Sequence, residues 1–350
     1  MFYKQLDKDI DFILSETNDL WINKKNKTIF LTGGTGFFGI WLIMSFIKIN
    51  IKLNLNCKMI VLSRDVEKFL SKHNWLKDYN EVNFVQGNIT SFEFFKDPVD
   101  FVIHAATEAS VKLNNDNPLE MYDTIVNGTK RVLDFSKQKK VESFLITSSG
   151  AVYGQQPAEI KSFKENYLGA PSTQTIQSVY GEGKRISETL CTIYFEKYNL
   201  PVKIARCFAF VGPFMKLDSH FAIGNFINDY LKNNQIIIKG DGTPLRSYMY
   251  SADLTIWLWK ILFLGLNNSP YNVGSDRSVS IHELANIISK KNTLKPLSVK
   301  VLTKPSDVPV KKYLPNVEKA LKTLNLKIHN DLETSINKTI SFFKKYNNEL

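Results

Sequence analysis

A glycine-rich turn between a strand-like run and a helix-like run constrains the fold of this chain most. Residues 28–32 are β-branched and aromatic, residues 33–39 read Gly-Gly-Thr-Gly-Phe-Phe-Gly, and residues 40–47 form an apolar helical stretch. Glycines let the backbone approach a pyrophosphate, which can bind the unpaired N–H groups at the start of the helix. The run predicts a dinucleotide-binding strand, turn and helix; the alternative is a tight turn without a ligand.

Short β-branched and aromatic runs alternate with longer amphipathic stretches up to about residue 206. This alternation predicts βαβ units and a parallel sheet. Runs such as 101–103 are apolar without alternation, as expected when helices cover both faces of a sheet. The sequence therefore predicts an α/β fold with a Rossmann-type doubly wound parallel sheet. The runs that predict its strands are 28–32, 59–62, 82–86, 101–104, 144–147 and 202–205.

The length of 350 residues exceeds the usual size of one core, so we expect more than one domain. After about residue 206 the pattern loosens, and glycine and proline turns separate less regular segments. We predict a helical extension at 1–26 and an NAD(P)-binding Rossmann domain at 27–206, to which 247–274 returns. A smaller α/β substrate-binding domain is predicted at 207–350.

The composition excludes several classes of protein. Hydrophobic residues make up 43% of the chain, so disorder is not expected. The net charge of +11 would suit nucleic acid or phosphorylated substrates, but the lysines are spread along the chain and form no basic stripe. We therefore interpret them as solvated faces and expect no nucleic-acid partner.

The cysteines and the apolar stretches indicate a cytoplasmic protein. Cys57, Cys191 and Cys207 are widely separated and lack partners at metal-ligand spacing, so we expect reduced packing residues and no metal. Charged residues interrupt the first 20 positions, which excludes the apolar core of a signal peptide. The apolar stretch 254–266 is shorter than the roughly 20 residues that span a bilayer, so we expect a core helix and no membrane partner.

The ends of the second and third predicted strands bear on the choice of cofactor. An NAD enzyme normally offers a carboxylate to the adenosine ribose at the end of the second strand, whereas this chain has Ser63 and Arg64. The planar guanidinium matches a 2′-phosphate, which favours NADP; alternatively, Arg64 faces water beside Asp65 or Glu67. Asn88 is either an adenine ligand or an ordinary turn residue.

Two polar motifs can do chemistry at the sheet edge. Tyr180 and Lys184 are four residues apart, so a helix places both on one face. A cation about 4 Å from a phenol is worth up to about 3 pK units, which would make Tyr180 a general base near neutral pH. Ser149 follows a predicted strand, where its hydroxyl can bind the reacting oxygen of a substrate. Each motif alone is commonly structural; their conjunction favours catalysis.

Several further motifs follow one another over about residues 27 to 275. They are Thr32-Gly33-x-x-Gly36-x-x-Gly39, His104-Ala105-Ala106, Asn127-Gly128-Thr129, Ser149 with Val152-Tyr153-Gly154, Tyr180-x-x-x-Lys184, Arg206 with Gly212-Pro213, and Gly240-Asp241-Gly242 leading to Arg246. In this order the chain resembles the extended short-chain dehydrogenases/reductases of the nucleotide-sugar epimerase and dehydratase type.

The resemblance implies roles for individual residues. Ser149, Tyr180 and Lys184 would be catalytic, and Lys184 would also bind the nicotinamide ribose. Arg246 would hold the substrate diphosphate, and the helices at 119–137 and 180–198 would pack against a second subunit in a homodimer. The implied NAD(P) contacts are Gly33, Thr35, Gly36, Phe37, Phe38, Gly39, Ser63, Arg64, Asn88, Ile89, Ala105, Ala106, Tyr180 and Lys184. The implied substrate contacts are Glu108, Ser149, Asn225 and Arg246.

Departures from the family pattern narrow the reaction. In the 4,6-dehydratases, Asp-Glu follows the position of Ser149. In this chain Gly150 and Ala151 follow it, and neither can transfer a proton. A decarboxylase that uses a glutamate at this place loses the same support. Glu108 matches an acidic residue of some dehydratases and keeps that alternative open. Ala209 replaces an asparagine that often contacts the substrate phosphates. We rank a nucleotide-sugar epimerase acting at C4 first and an NADPH-dependent 4-keto-sugar reductase second; a non-catalytic NADP sensor or interaction protein is the alternative from another class.

Overall fold

Parallel strands form the central sheet of this computed structural model, which describes residues 4–107, 111–218, 221–291, 295–304 and 308–349. Seven strands join the sheet in the order β3-β2-β1-β4-β5-β6-β11. The strands of the described chain are β1 Thr28–Thr32, β2 Lys58–Ser63, β3 Val82–Gln86, β4 Phe101–His104, β5 Ser143–Ser149, β6 Val202–Cys207, β7 Phe210–Val211, β8 Ile236–Ile238, β9 Leu245–Ser247, β10 Met249–Tyr250, β11 Pro270–Val273, β12 Ser278–Ser280, β13 Val299–Val301 and β14 Lys312–Tyr313.

Helices cover both faces of this sheet. Alternate residues of one strand point to opposite faces, so Ile29 and Leu31 of β1 pack with α2 and α8, while Phe30 packs with α5 and α6. The predicted doubly wound fold is confirmed. The helices are α1 Asp7–Thr17, α2 Phe37–Lys52, α3 Val66–Lys72, α4 Val111–Asp116, α5 Pro118–Lys139, α6 Val179–Tyr198, α7 Ala222–Leu231, α8 Ser251–Leu264, α9 Ile281–Ser289, α10 Glu318–Thr323 and α11 Leu332–Glu349.

The strand order places the switch point between β1 and β4. From β1 the chain proceeds outward through β2 and β3, and it then returns to pair β4 with the other side of β1. In open parallel sheets, ligands bind at the carboxyl ends of the strands beside such a point. The residues that follow β1, β4 and β5 are therefore the candidates for a site.

The chain after β6 both returns to the central sheet and forms smaller sheets. β11 pairs in parallel with β6 at the edge of the central sheet. β9 lies between β12 and β14, and the pairs β10-β7 and β13-β8 complete the strand pairs of the described residues. The division into domains at 206/207 stays a prediction.

The first helix is packed into the body of the molecule. α1 lies against α2 and α8, and the buried Asp9 accepts hydrogen bonds from the Tyr250 hydroxyl (2.6 Å) and the Lys338 ammonium (2.5 Å). Of the helices in the described ranges, none has the length and apolar character needed to cross a membrane.

Candidate active site

The turn between β1 and α2 has the shape of a pyrophosphate cradle. Gly33 has a φ of +74°, and a Cβ there would lie 2.5 Å from the Ala105 carbonyl; a Cβ on Gly39 would lie 2.3 Å from the Gly34 Cα. These two glycines let the turn, β4 and α2 approach one another. A Cβ on Gly36 would meet only the Gly33 carbonyl oxygen, at 3.3 Å. Gly36 therefore leaves clearance at the start of α2, as a phosphate group requires.

The other implied cofactor contacts surround this turn. The Ala105 and Ala106 N–H groups donate to the Thr32 carbonyl and hydroxyl, which joins the ends of β4 and β1. Thr35 is exposed, and Phe37 and Phe38 are half-buried. Both alanines therefore lie at the switch point, beside the glycines of the turn.

The ends of β2 and β3 hold the remaining cofactor candidates. Ser63 is buried and accepts a hydrogen bond from the Asp65 N–H, while Arg64 is exposed. The side-chain oxygen of Asn88 accepts from the N–H and hydroxyl of Thr90, both at 3.1 Å, in the turn role that the sequence left as an alternative. Ile89 is buried.

Ser149 is the last residue of β5. Its hydroxyl oxygen accepts a hydrogen bond from the Ala151 N–H at 3.1 Å, where the chain leaves the strand. The Ser149 hydroxyl opposes the rise in pKa that burial causes at Tyr180 and Tyr313, so both phenols lie near it. Ser149 thus lies at the carboxyl edge of the sheet, near two tyrosine side chains.

Tyr180 is the second residue of α6 and lies near Ser149. Its backbone N–H donates to the Asn114 side chain at 3.2 Å, which fixes the first turn of the helix. Burial raises the pKa of Tyr180 to about 12, and the neighbouring Ser149 lowers it in part. This corrects the expectation of a depressed pKa, because desolvation of the phenolate is the largest effect in this site.

Lys184 lies one turn further along α6 and is 3% exposed. Its ammonium donates to the Thr107 hydroxyl (2.8 Å) and to the Thr147 carbonyl of β5 (2.7 Å). Burial lowers the pKa of Lys184 to about 8, and the neighbouring Cys207 and Glu188 raise it in part. The lysine is thereby fixed to the same strand end as Ser149.

A partly buried ion pair joins α6 to the ends of the central strands. Arg206 of β6 pairs with Glu188 of α6 at 2.7 Å, and Ser148 donates to the same carboxylate. Arg206 also donates to the Tyr153 hydroxyl, which in turn donates to Asn272 of β11. This network connects α6 to β5, β6 and β11, so it positions the helix that carries Tyr180 and Lys184.

The implied substrate contacts are only partly brought together. Arg246 lies on β9 opposite Tyr313 of β14, and its guanidinium donates to the Leu245 carbonyl at 2.8 Å. Asn225 lies on α7, and its role in substrate binding stays a prediction. Glu108 lies outside the described residues.

Tyr313 is the site residue that sequence reasoning missed. It follows a proline-containing segment in a run, Lys-Lys-Tyr-Leu-Pro, that carries no catalytic signature. The pairing of β14 with β9 brings its hydroxyl beside Gly150, the residue after Ser149, and its ring packs on Phe208 with centroids 4.7 Å apart. Among the described residues, no cluster of three or more His, Cys, Asp or Glu could hold a metal ion.

Comparisons with known proteins agree with this geometry. The model of the NAD dependent epimerase/dehydratase family matches residues 29–274. UDP-glucuronic acid decarboxylase 6 of Arabidopsis thaliana is 30% identical over 304 residues, 86% of this chain and 84% of the relative. UDP-glucuronic acid decarboxylase 1 of Xenopus tropicalis is 29% identical over 324 residues, 92% of this chain and 73% of the relative.

Solved structures share the fold at lower identity. A UDP-N-acetylglucosamine 4-epimerase from Methanobrevibacter ruminantium has a TM-score of 0.78 and 23% identity, with 92% of this chain and 99% of that chain covered. A UDP-glucuronic acid 4-epimerase from Bacillus cereus, solved with UDP-glucuronic acid and NAD, has a TM-score of 0.77 and 23% identity, with 91% and 99% covered.

Proposed function

Since the chain belongs to the NAD dependent epimerase/dehydratase family, we propose that it is a nucleotide-sugar epimerase that oxidises a sugar hydroxyl at C4 transiently. The observation that carries the proposal is the buried Lys184 of the Tyr180-x-x-x-Lys184 pair, whose ammonium donates to the Thr147 carbonyl of β5, two residues before Ser149. Lys184 lies one helical turn from Tyr180, and the glycine turn lies at the same edge of the sheet. A proton-transfer group and a dinucleotide cradle thus face the same region.

The residues divide the work of such a reaction. Tyr180 takes the proton of the sugar hydroxyl and later returns it, while Ser149 holds the reacting oxygen by a hydrogen bond. Lys184 would hold the nicotinamide ribose, and its ammonium would favour the phenolate form of Tyr180. NAD bound at the glycine turn would supply the acceptor and donor of the hydride. Arg246 binds the substrate diphosphate by charge-assisted hydrogen bonds.

The chain lacks the acid and base of a 4,6-dehydratase. Gly150 and Ala151 follow Ser149, and neither can move a proton from C5 or to a leaving hydroxyl at C6. Oxidation at C4 followed by reduction of the same ketone needs only Ser149 and Tyr180 as protic groups. Hydride return to the opposite face of the rotated ketone gives the C4 epimer, with no net oxidation.

Decarboxylation is the second candidate, because the curated relatives named above are UDP-glucuronic acid decarboxylases. A ketone at C4 lies β to a carboxylate on C5, so the same oxidation step would allow loss of carbon dioxide. We rank epimerisation above decarboxylation for two reasons. Position 151 is an alanine and offers no carboxylate, and the matching family includes epimerases as well as dehydratases. Reduction of a supplied 4-keto sugar with NADPH is a third possibility, favoured by Arg64.

One experiment separates these reactions. The purified protein is incubated with NAD and with a panel of UDP- and dTDP-sugars that includes UDP-glucuronic acid, and the products are followed by NMR. A C4 epimer with constant NAD supports the proposal, whereas a pentose with release of carbon dioxide establishes decarboxylation. In a parallel incubation with NADPH and a 4-keto nucleotide sugar, consumption of NADPH establishes reduction. Tight cofactor binding without turnover on any sugar indicates a non-catalytic sensor and contradicts the proposal.

We also propose that the chain forms a homodimer through α5 and α6, as the resemblance implies. Both helices carry exposed apolar side chains, among them Leu119 and Ile193. Exposed apolar groups on adjoining helices are typical of protein interfaces.

A further inference from the structure

We propose that Thr107 is a positioning residue of this active site: its hydroxyl oxygen accepts a hydrogen bond from the Lys184 ammonium and fixes that cation between the ends of β4 and β5. The bond to Thr107 is 2.8 Å long, and a second bond of 2.7 Å joins the ammonium to the Thr147 carbonyl of β5. The consequences for cofactor binding rest on the proposed function, whereas the contact itself is a property of the folded chain.

The direction of this hydrogen bond follows from the donors present. An ammonium only donates, so the Thr107 oxygen accepts. The hydroxyl proton of Thr107 is directed to the Ala106 carbonyl, at 2.7 Å. A lone pair of the same oxygen is therefore left for Lys184, and the resulting bond is charge-assisted.

The backbone that carries Thr107 is held at the switch point of the sheet. The N–H groups of the two preceding residues, Ala105 and Ala106, donate to the carbonyl and the hydroxyl of Thr32, at 3.1 and 3.2 Å. Thr32 is the last residue of β1 and directly precedes the glycine turn. Thr107 therefore links Lys184 of α6 to the strand end that carries the proposed cofactor cradle.

The number of N–H groups on Lys184 gives this contact a function. An ammonium has three donors, of which Thr107 and Thr147 take two. The third remains for a ligand, which in the proposed enzyme is the nicotinamide ribose. A neutral amine has only two N–H groups, and the same two acceptors would use both. Lys184 therefore needs its charge to bind the ribose, and the bond to Thr107 stabilises that charge against burial.

Titratable groups of three elements surround this ammonium: Cys207 of β6, Glu188 and Cys191 of α6, and His104 of β4. Burial lowers the pKa of Lys184 to about 8, and the first three of these groups raise it in part. Burial also lowers the pKa of His104 to about 3, so this imidazole is neutral near pH 7. Removal of the Thr107 hydroxyl changes one contact of the ammonium and leaves all four groups in place.

Carbon NMR tests the contact without any turnover. The protein is labelled with lysine that carries ¹³C at Cε, and the signal that is absent from Lys184→Met belongs to Lys184. Thr107→Val removes the hydroxyl but keeps a branched side chain. It should lower the pKa of Lys184 by about 1, because a hydrogen bond to a charged group is worth about tenfold or more in such an equilibrium.

Three further variants complete the titration. Thr107→Ala, the second variant without the hydroxyl, should lower the pKa of Lys184 in the same way, and Thr107→Ser should keep the wild-type pKa. Thr323→Val removes an exposed hydroxyl that donates to the Lys319 carbonyl on α10, and it is the control that should change nothing. An unchanged pKa of Lys184 in the variants without the hydroxyl would overturn the proposal.

Calorimetric titration with NAD at several pH values tests the role. The NAD affinity of wild type should decline above about pH 8, where the free protein loses the Lys184 proton and with it the third N–H. In Thr107→Val the decline should begin about one pH unit lower, while at about pH 6 the two affinities should agree within about threefold. The same pH dependence in both proteins would refute the role. A wild type that binds no NAD at any pH would count against the proposed function, while the NMR titration would still decide the proposal for Thr107.

Discussion

Burial of Tyr180 raises its pKa and so opposes its proposed role as a base. Desolvation raises the pKa of its phenol to about 12, although the neighbouring Ser149 lowers this pKa in part. A base with so high a pKa is useful only when positive charge beside it stabilises the phenolate. In the proposed enzyme Lys184 and the oxidised nicotinamide provide that charge. The chain alone therefore holds Tyr180 protonated, and we infer that the complete site activates it.

Removal of the Tyr180 hydroxyl tests its role directly. Tyr180→Phe should lower turnover at least about a hundredfold, the usual reach of general acid–base catalysis. The variant keeps the ring in place, so cofactor affinity measured by calorimetry should remain within about threefold of wild type. Tyr271→Phe, remote from Ser149, is the matched control. Near wild-type turnover of Tyr180→Phe would remove this residue from the mechanism.

Lys184 leads to a prediction about stability and pH. Burial lowers its folded-state pKa to about 8 from 10.5, so between these values the unfolded chain binds the proton that the folded protein has released. Stability therefore rises with pH in this window, and the penalty of the buried charge is fully present below about pH 8. Between about pH 8 and pH 10.5, the unfolding free energy of wild type should rise by up to about 3 kcal/mol relative to that of Lys184→Met.

Urea unfolding of both proteins on either side of this window checks that prediction. The exposed Lys300, changed in the same way, is the control for loss of a surface charge. A difference between wild type and Lys184→Met that is independent of pH would show that the buried ammonium carries no such penalty.

Arg64 tests the choice between NAD and NADP. It is exposed at the end of β2, where an adenosine 2′-phosphate would lie in a dinucleotide fold. Arg64→Ala should weaken NADP binding about tenfold or more and leave NAD binding within about twofold, because only NADP carries the phosphate that the guanidinium binds. Calorimetric titration with both cofactors measures this. An equal effect on the two would assign Arg64 to the solvated surface.

Individual residues of the candidate site could be predicted from the sequence to different degrees. Tyr180 and Lys184 are separated by one helical turn, and Ser149 ends a strand, so local spacing was sufficient to place them on one edge. Tyr313 reaches the site only through the pairing of two short strands that are distant in sequence, which no local pattern reveals. The sign of the Tyr180 pKa shift also required the structure, because burial is a property of the packed molecule.

At the scale of elements, two glycines of the turn between β1 and α2 have different roles. Gly33 is required by the fold, and Gly36 by the proposed cofactor. Gly33→Ala should lower the unfolding free energy by about 3 kcal/mol or more, because the left-handed φ and the Ala105 carbonyl leave no room for a Cβ. Gly36→Ala should change stability by less than about 1 kcal/mol and yet weaken NAD binding about tenfold, because its methyl group enters the clearance for the pyrophosphate.

Thermal unfolding and cofactor titration of the two variants form one matched experiment. A stable Gly33→Ala protein would contradict the packing argument. A Gly36→Ala protein that binds NAD as tightly as wild type would show that the pyrophosphate lies elsewhere.

The elements of the central sheet were easier to predict than those of the C-terminal part. Three predicted strands, 28–32, 82–86 and 101–104, have the observed bounds, because β-branched runs between turn residues mark buried parallel strands. At their carboxyl ends β5 and β6 extend two residues further than predicted, to Ser149 and Cys207, and β5 also begins one residue earlier, at Ser143. Strands such as β7, β10 and β14 have two residues each, and their pairing depends on tertiary contacts.

At the scale of the whole molecule, α5 and α6 connect the site to the proposed dimer. They pack against each other on one face of the sheet, and the first two turns of α6 contain Tyr180 and Lys184. Leu119 is 80% exposed and Ile193 is 44% exposed on these helices. A second subunit that covers them would restrain α6 from its outer side, while the Glu188–Arg206 ion pair restrains it from the sheet.

Substitution of Ile193 by aspartate tests this arrangement. Light scattering should give the mass of a dimer for wild type and of a monomer for Ile193→Asp, because a carboxylate buried in an apolar interface is left without a partner. Leu302→Asp, on an exposed residue that follows β13, should leave the dimer intact. The monomer should keep its fold by circular dichroism but lose activity at least about threefold, since α6 would lose its outer support. A monomeric wild type would reject the dimer, whereas a dimeric Ile193→Asp would move the interface to another face.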